Sequence, residues 1–150
     1  MELETAICLA YAVRMLPEAP AMKAKTGAYV HWHREELTIK AIEGGFSHLM
    51  MIDSDMIFPP NGINVLISRN VDIAYGTYNR KNRNYADRLD APAGFLLINL
   101  EAVKKIKVPR FQCDFGLGED TYFFRKAREA GLTVVCDETL EIGHIGKKVY

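Results

Sequence analysis

The 150-residue sequence has few of the features that mark secreted, membrane-bound or nucleic-acid-binding proteins. Its cysteines, Cys8, Cys113 and Cys136, are odd in number, widely spaced and without a Cys-x-x-Cys pair. This pattern argues against a disulfide framework and a zinc knuckle, and it favours a reducing compartment, so we expect a cytoplasmic protein. The 19 basic and 19 acidic residues give a formal net charge of zero. Bulk electrostatic attraction to nucleic acid or to an acidic membrane is therefore not expected.

Targeting and membrane-spanning signals are also missing. No apolar run approaches the roughly 20 residues needed to span a bilayer. The first residues, Met1-Glu2-Leu3-Glu4, lack the basic start of a secretory signal. A hydrophobic content of 49% and a charged content of 25% are typical of a globular protein. The length fits a single domain over residues 1–150, with a core of its own.

The most informative stretch is the apolar run 49–52, which is followed by Asp53-Ser54-Asp55 and then by two prolines. The run predicts a buried strand that ends at the carboxylates, where open α/β sheets place their ligands. Residues i and i+2 of an extended chain point the same way, so Asp53 and Asp55 repel unless a cation or a hydrogen-bond donor lies between them. They could hold Mg²⁺ or Mn²⁺ together with phosphate oxygens. The alternative is an acidic turn on a surface loop.

Helical and extended patterns alternate along the rest of the chain, which predicts α/β layers. The predicted helices cover residues 3–16, 34–43, 60–69, 101–106 and 119–130. The predicted strands cover residues 49–52, 71–76, 93–100 and 132–136, and residues 28–30 are an ambiguous further strand. In the third helix, the apolar residues Ile63, Leu66 and Ile67 are expected to face the core.

Two stretches have both a functional and a structural interpretation. His31-Trp32-His33 would place two imidazoles on one face of a strand, but no third metal ligand lies nearby in the sequence, which favours aromatic packing. The basic segment 79–85 also has two interpretations. It is a functional flap, which closes over phosphates or presents an acceptor, or it is a solvated loop.

Two later motifs are each open to a structural explanation. Glu119 and Asp120 follow Gly118 at a predicted helix start, where acidic side chains complement the helix dipole. His144 lies between two glycines in the last extended piece, and a lone histidine is more often structural than a metal ligand.

The sequence resembles the GT-A fold glycosyltransferases, in particular the family-two-like enzymes of bacteria and phages. Three motifs carry the resemblance, in this order along the chain: Asp53-Ser54-Asp55, Gly118-Glu119-Asp120 and Gly143-His144-Ile145-Gly146. The resemblance covers about residues 25–146 and includes the Gly94-Phe95 strand that follows a flexible loop. It implies an α/β fold of the GT-A (Rossmann-like) type, with a mixed, mostly parallel sheet flanked by helices. It also implies a metal-dependent transferase that moves a sugar from a nucleotide-sugar donor to the hydroxyl of a glycan, protein or other acceptor, with inversion.

The resemblance assigns a metal site to the acidic strand end. It implies that Asp55 and His144 are metal ligands, and that Asp53 contacts the ribose or holds a metal-bound water. A nitrogen ligand beside oxygen donors suits Mn²⁺ better than Mg²⁺.

The resemblance also assigns the proton transfer and the phosphate contacts. Asp120 corresponds to the general base, and Glu119 shares that work or orients the acceptor. Arg80 and Lys81 in the basic segment are candidates for contact with the donor phosphates.

The family normally opens with a strand before its first helix, whereas residues 3–16 match that helix. We therefore expect the chain to be a truncated form of a longer transferase, with an open sheet edge through which it could form a homodimer.

Phosphatases of the haloacid dehalogenase type also place Asp-x-Asp after an apolar strand, but near the N-terminus and with Thr or Val where Ile57 stands here. A further alternative is a non-catalytic nucleotide- or sugar-binding domain, or a structural phage protein, on the same fold.

Overall fold

The computed structural model describes residues 1–76 and 92–146, and its strands form one four-stranded and one two-stranded sheet. The predicted phosphate contacts Arg80 and Lys81 lie outside the described residues. In chain order the elements are α1 (Leu3–Arg14), α2 (Val30–Glu43), β1 (His48–Ile52), β2 (Met56–Ile57), α3 (Gly62–Ser68), β3 (Ile73–Gly76), β4 (Phe95–Asn99), α4 (Leu100–Val103), α5 (Glu119–Glu129), β5 (Val134–Asp137) and β6 (Gly143–His144).

The four-stranded sheet has the order β1-β4-β3-β5. The pairs β1–β4 and β3–β4 are antiparallel, and β3–β5 is parallel. The mixed α/β class is confirmed, but the prediction of a mostly parallel sheet is wrong. One reversed strand, β4, lies between β1 and β3 and makes both of its pairings antiparallel. The sequence pattern does not indicate whether neighbouring strands are parallel or antiparallel, because a strand buried on both faces is an apolar run in either orientation.

Helices cover both faces of this sheet, and the alternation of side chains along β4 shows how. Leu96 and Ile98 belong to a hydrophobic cluster with residues of α4 and α5 and with the partly buried side of α2. Phe95 and Leu97 point to the other face, into a cluster with residues of α1 and α3. Since β4 contributes side chains to both clusters, it joins the two halves of the core. Full burial of one such side chain stabilises the fold by roughly 1.5–3 kcal/mol.

The predicted helices exist, with two corrections. The strand suggested over residues 28–30 is wrong, because Val30 already begins α2. The N-cap residue Tyr29 makes no side-chain cap hydrogen bond, so no capping residue marked the start of this helix in the sequence. In α3, Ile63 is buried as expected, whereas Ile67 is 42% exposed and was wrongly assigned to the core.

The His31-Trp32-His33 stretch lies in the first turn of α2. The Trp32 ring stacks on that of Tyr29 with a centroid distance of 5.0 Å, and it meets the His31 ring edge-on at 5.7 Å. His31 and Trp32 therefore take part in aromatic contacts with Tyr29 at the start of a helix.

β1 lies at one edge of the four-stranded sheet, with β4 as its neighbour in the described part of the chain. Whether a further strand belongs beside it, as the expectation of truncation requires, stays a prediction. Within residues 1–76 and 92–146, the helices are too short or too polar to cross a membrane.

Candidate functional site

The acidic loop after β1 is held in place by backbone hydrogen bonds from three parts of the chain. Asp53 N–H donates to the Gly94 carbonyl at 2.9 Å, just before β4, and Glu2 N–H donates to the Ser54 carbonyl at 2.8 Å. Ile145 N–H donates to the Asp55 carbonyl at 2.8 Å. The loop is therefore fixed at the carboxyl end of β1, the sheet edge at which the sequence predicted a ligand site.

The short sheet β2–β6 brings together two of the predicted metal ligands. Met56 pairs with His144 in an antiparallel register. Because Asp55 precedes Met56, its carboxylate lies beside the imidazole, with His144 Nε2 3.1 Å from Asp55 Oδ2. The Asp55 and His144 side chains are 35% and 41% exposed, so both can be reached from solvent.

The third predicted metal ligand, Asp53, does not complete a three-residue site. Within residues 1–76 and 92–146, no group of three His, Cys, Asp or Glu side chains is arranged to hold a metal ion. Asp55 and His144 are nevertheless the oxygen and nitrogen donors that suit a divalent cation, in particular Mn²⁺. A cation on this pair would need its remaining ligands from water or from a substrate.

Asp53 has a partner that the sequence did not suggest. Its Oδ1 accepts a hydrogen bond of 2.9 Å from Nη2 of Arg34, whose side chain is only 7% exposed. The Nη1 atom of Arg34 is buried and has no hydrogen-bond partner among the described residues. A charge at a buried helix position runs against hydrophobic periodicity, and no local motif marked Arg34 as part of the site.

The charges around Asp53 show which acids lie close together. Burial raises the pKa of Asp53; the positive charge and hydrogen bond of Arg34 oppose this, and the negative charges of Asp55 and Glu119 add to it. The net effect is a pKa above the ordinary aspartate value. Glu119, the first residue of α5, therefore lies near enough to Asp53 for its charge to contribute to this shift, as the smallest of the causes.

Asp120 is the second residue of α5, after Gly118 in an extended conformation. Its Oδ1 accepts a hydrogen bond of 2.9 Å from the Thr121 N–H, which is the kind of contact that an acidic residue makes at a helix start. The catalytic roles suggested for Glu119 and Asp120 stay predictions.

A buried ion pair positions the segment that leads into α5. Glu35, next to Arg34 on α2, accepts hydrogen bonds from Arg110 Nη1 at 2.7 Å, from Arg110 N–H at 2.5 Å and from Phe111 N–H at 3.0 Å. Consecutive residues of α2 therefore contact the acidic loop on one side and the chain before α5 on the other. Sequence reasoning missed this link, because the partners are 75 residues apart.

The sequence matches no protein-family model and no curated protein. Among solved structures, the fold is similar to A197 from STIV, the Sulfolobus turreted icosahedral virus, with a TM-score of 0.64 and 18% identity, over 93% of this chain and 78% of that chain. The chain has an A197-like fold. At this identity the likeness shows the fold alone.

The similarity to A197 corrects one expectation from the sequence. The assignment to the family-two-like GT-A glycosyltransferases of bacteria and phages is wrong, because no family model matches and the structural likeness is to a viral α/β protein. The three acidic and histidine motifs are short, and their order along the chain was not enough to establish a family.

Proposed function

We propose that the chain binds a nucleotide sugar together with a divalent cation and transfers the sugar to an acceptor hydroxyl. The observation that carries this proposal is the 3.1 Å contact between Asp55 Oδ2 and His144 Nε2 at the carboxyl end of β1. The charge of Glu119, at the acidic start of α5, also acts on Asp53, which supports a shared site. The proposal rests on these residues and not on membership of a family.

Asp55 and His144 are the residues that would hold the cation. Their partial exposure leaves room for diphosphate oxygens, which would supply ligands that the described chain does not provide. A bound cation supplies Lewis-acid stabilisation of the negative charge that a leaving diphosphate gains, an effect of several kcal/mol. The imidazole nitrogen makes Mn²⁺ the preferred ion and Mg²⁺ the alternative.

The other polar residues of the site bind and orient the substrates. Arg34 Nη2 contacts Asp53 Oδ1 at the strand end, and the second oxygen of Asp53 would accept a hydrogen bond from a ribose hydroxyl or from a metal-bound water. At the start of α5, Asp120 takes the proton of the acceptor hydroxyl and Glu119 orients that acceptor. A base that removes this proton directly favours a single displacement with inversion.

A second candidate function, binding without catalysis, is favoured by one specific observation. Asp120 Oδ1, an oxygen of the proposed base, already accepts a hydrogen bond from the Thr121 N–H at the helix start. A domain of this kind would bind the cation and the nucleotide but would not turn over a nucleotide sugar.

The binding step is tested by thermal shift of the 150-residue chain with Mn²⁺ and a panel of nucleoside diphosphates and nucleotide sugars. The wild type should melt at a higher temperature when Mn²⁺ and a matching nucleotide are both present, because ligands stabilise the folded state they bind. Asp55→Asn and His144→Gln should lose this increase. The matched controls Glu141→Gln and His48→Gln, at exposed positions outside the pair, should keep it. An unchanged Mn²⁺-dependent shift in both site variants would overturn the assignment.

Catalysis is tested separately, by Mn²⁺-dependent release of nucleoside diphosphate from the donor that binds. Asp120→Asn should reduce turnover by roughly 10²–10⁴-fold and leave donor binding unchanged. A loss of less than tenfold would show that Asp120 is a helix-start residue and not the base. Binding with no turnover in the wild type would support the non-catalytic function.

A further inference from the structure

The outer face of α1 carries large apolar side chains that the described chain leaves exposed. Leu3, Ile7, Tyr11 and Met15 are 72%, 47%, 57% and 51% exposed. They follow one another at intervals of four residues, from the first residue of α1 to its C-cap, and this spacing places them along one side of a helix. We call these four residues the α1 stripe.

The α1 stripe is separate from the face with which α1 contacts the core. Ala12 is buried in the cluster that covers one face of the sheet, and Cys8 and Leu9 pack against that cluster. The helix thus has one apolar side in the core and a second one in solvent. Four exposed apolar side chains in a row form a contiguous apolar patch, and the largest such patch on a protein surface is often functional.

The positions of the α1 stripe are symmetric about position 9 of the chain. If two copies of α1 packed antiparallel about this point, Leu3 of each copy would face Met15 of the other, and Ile7 would face Tyr11. Glu4 and Arg14, both exposed, lie in the first and last turns of α1 and obey the same symmetry. Each glutamate would therefore lie at the level of an arginine of the other copy.

We propose that the chain forms a two-fold symmetric dimer through the α1 stripe, with the two α1 helices antiparallel. A self-complementary surface of this kind is what an isologous dimer requires. Covering the stripe and the residues beside it on two copies would bury about 1,000 Å², the minimum expected of a biological interface. Antiparallel helices also bring opposite ends of their dipoles together.

The apolar part of the interface is tested by sedimentation equilibrium of the full chain over a range of concentrations. The wild type should be a dimer, and the double substitution Ile7→Glu with Tyr11→Glu should give a monomer with an unchanged circular dichroism spectrum. Ile39→Glu is the matched control, because Ile39 is a similarly exposed apolar residue on α2, and this variant should remain a dimer. A monomeric wild type, or a double variant that still dimerises, would overturn the proposal.

The antiparallel register is tested by exchanging charges, which does not depend on the apolar substitutions. Glu4→Lys alone, or Arg14→Glu alone, should raise the dimer dissociation constant by about tenfold, because each creates two like-charge contacts. Glu4→Lys combined with Arg14→Glu should restore the wild-type dissociation constant, as a double-mutant cycle requires for residues in contact. Single variants that dimerise as tightly as the wild type would rule out this arrangement of the helices.

Discussion

Replacement of Glu35 by alanine should destabilise the protein more than any other substitution of an acidic residue on α2. The Glu35 and Arg110 side chains are 13% and 8% exposed, so their ion pair is largely shielded from water. Besides the guanidinium, the Glu35 carboxylate accepts the backbone N–H groups of Arg110 and Phe111. One side chain therefore satisfies three donors in the segment before α5.

The cost can be estimated from the groups that Glu35→Ala would leave behind. Removal of one partner from a buried ion pair leaves the other charge uncompensated, which costs about 3–5 kcal/mol. This is a large fraction of a total stability of roughly 5–15 kcal/mol. Glu35→Gln keeps an acceptor oxygen but loses the charge, and it should cost less, about 1–3 kcal/mol.

Urea unfolding measures these free energies, and the neighbouring residue supplies the control. Glu36 forms ion pairs with Lys25 at 2.6 Å and with Lys40 at 2.5 Å on the surface of the same helix. Surface ion pairs contribute little, since solvent screens them, so Glu36→Ala should leave the unfolding midpoint almost unchanged. If Glu35→Ala and Glu36→Ala shifted the midpoint equally, the reasoning about the buried pair would be refuted.

Three further predictions concern other parts of the fold. Gly76→Ala should lower the unfolding free energy by about 1–3 kcal/mol, because a Cβ there would lie 2.7 Å from Ile142 Cγ1; an unchanged urea midpoint would contradict this. Asn99→Ala should cost about 0.5–2 kcal/mol in the same assay, because the Asn99 side chain accepts two N–H groups at the start of α4, whereas Asn99→Asp should cost much less. Burial acts to raise the pKa of Asp137, but hydrogen bonds from Arg69 and Thr139 lower it, and the net pKa is below the usual aspartate value. The Asp137 carboxylate therefore stabilises the fold at neutral pH, and this contribution is lost as the pH falls through the folded-state pKa. Asp137→Asn should therefore be less stable than the wild type at pH 7, with the difference closing below about pH 4; a difference independent of pH would show that the charge is not responsible.

Some features of the site followed from local sequence alone. The apolar run that forms β1 and the acidic residues at its end were predictable, because burial favours a short apolar strand and the charged residues cannot continue it into the core. The start of α5 at Glu119 was predictable for a similar reason, since acidic residues are stabilised at the amino end of a helix. The start of α2 at Val30 was not, because the residue before it, Tyr29, is not a capping residue and makes no side-chain cap hydrogen bond.

The sequence by itself determined most of the helices and strands of the four-stranded sheet layer, and that Asp53 and Asp55 follow one of those strands, because these features depend on residues close together in the chain. Tertiary structure alone decided that Asp55 lies beside His144, that Arg34 forms an ion pair with Asp53 and that β4 is antiparallel to both of its neighbours. These contacts join residues that are distant in sequence, and they depend on which strands become neighbours. Many arrangements of paired strands bury a similar apolar area, so the apolar pattern of the sequence does not distinguish among these arrangements. The packing of the whole chain selects one of them, and that choice places the charged groups of the site.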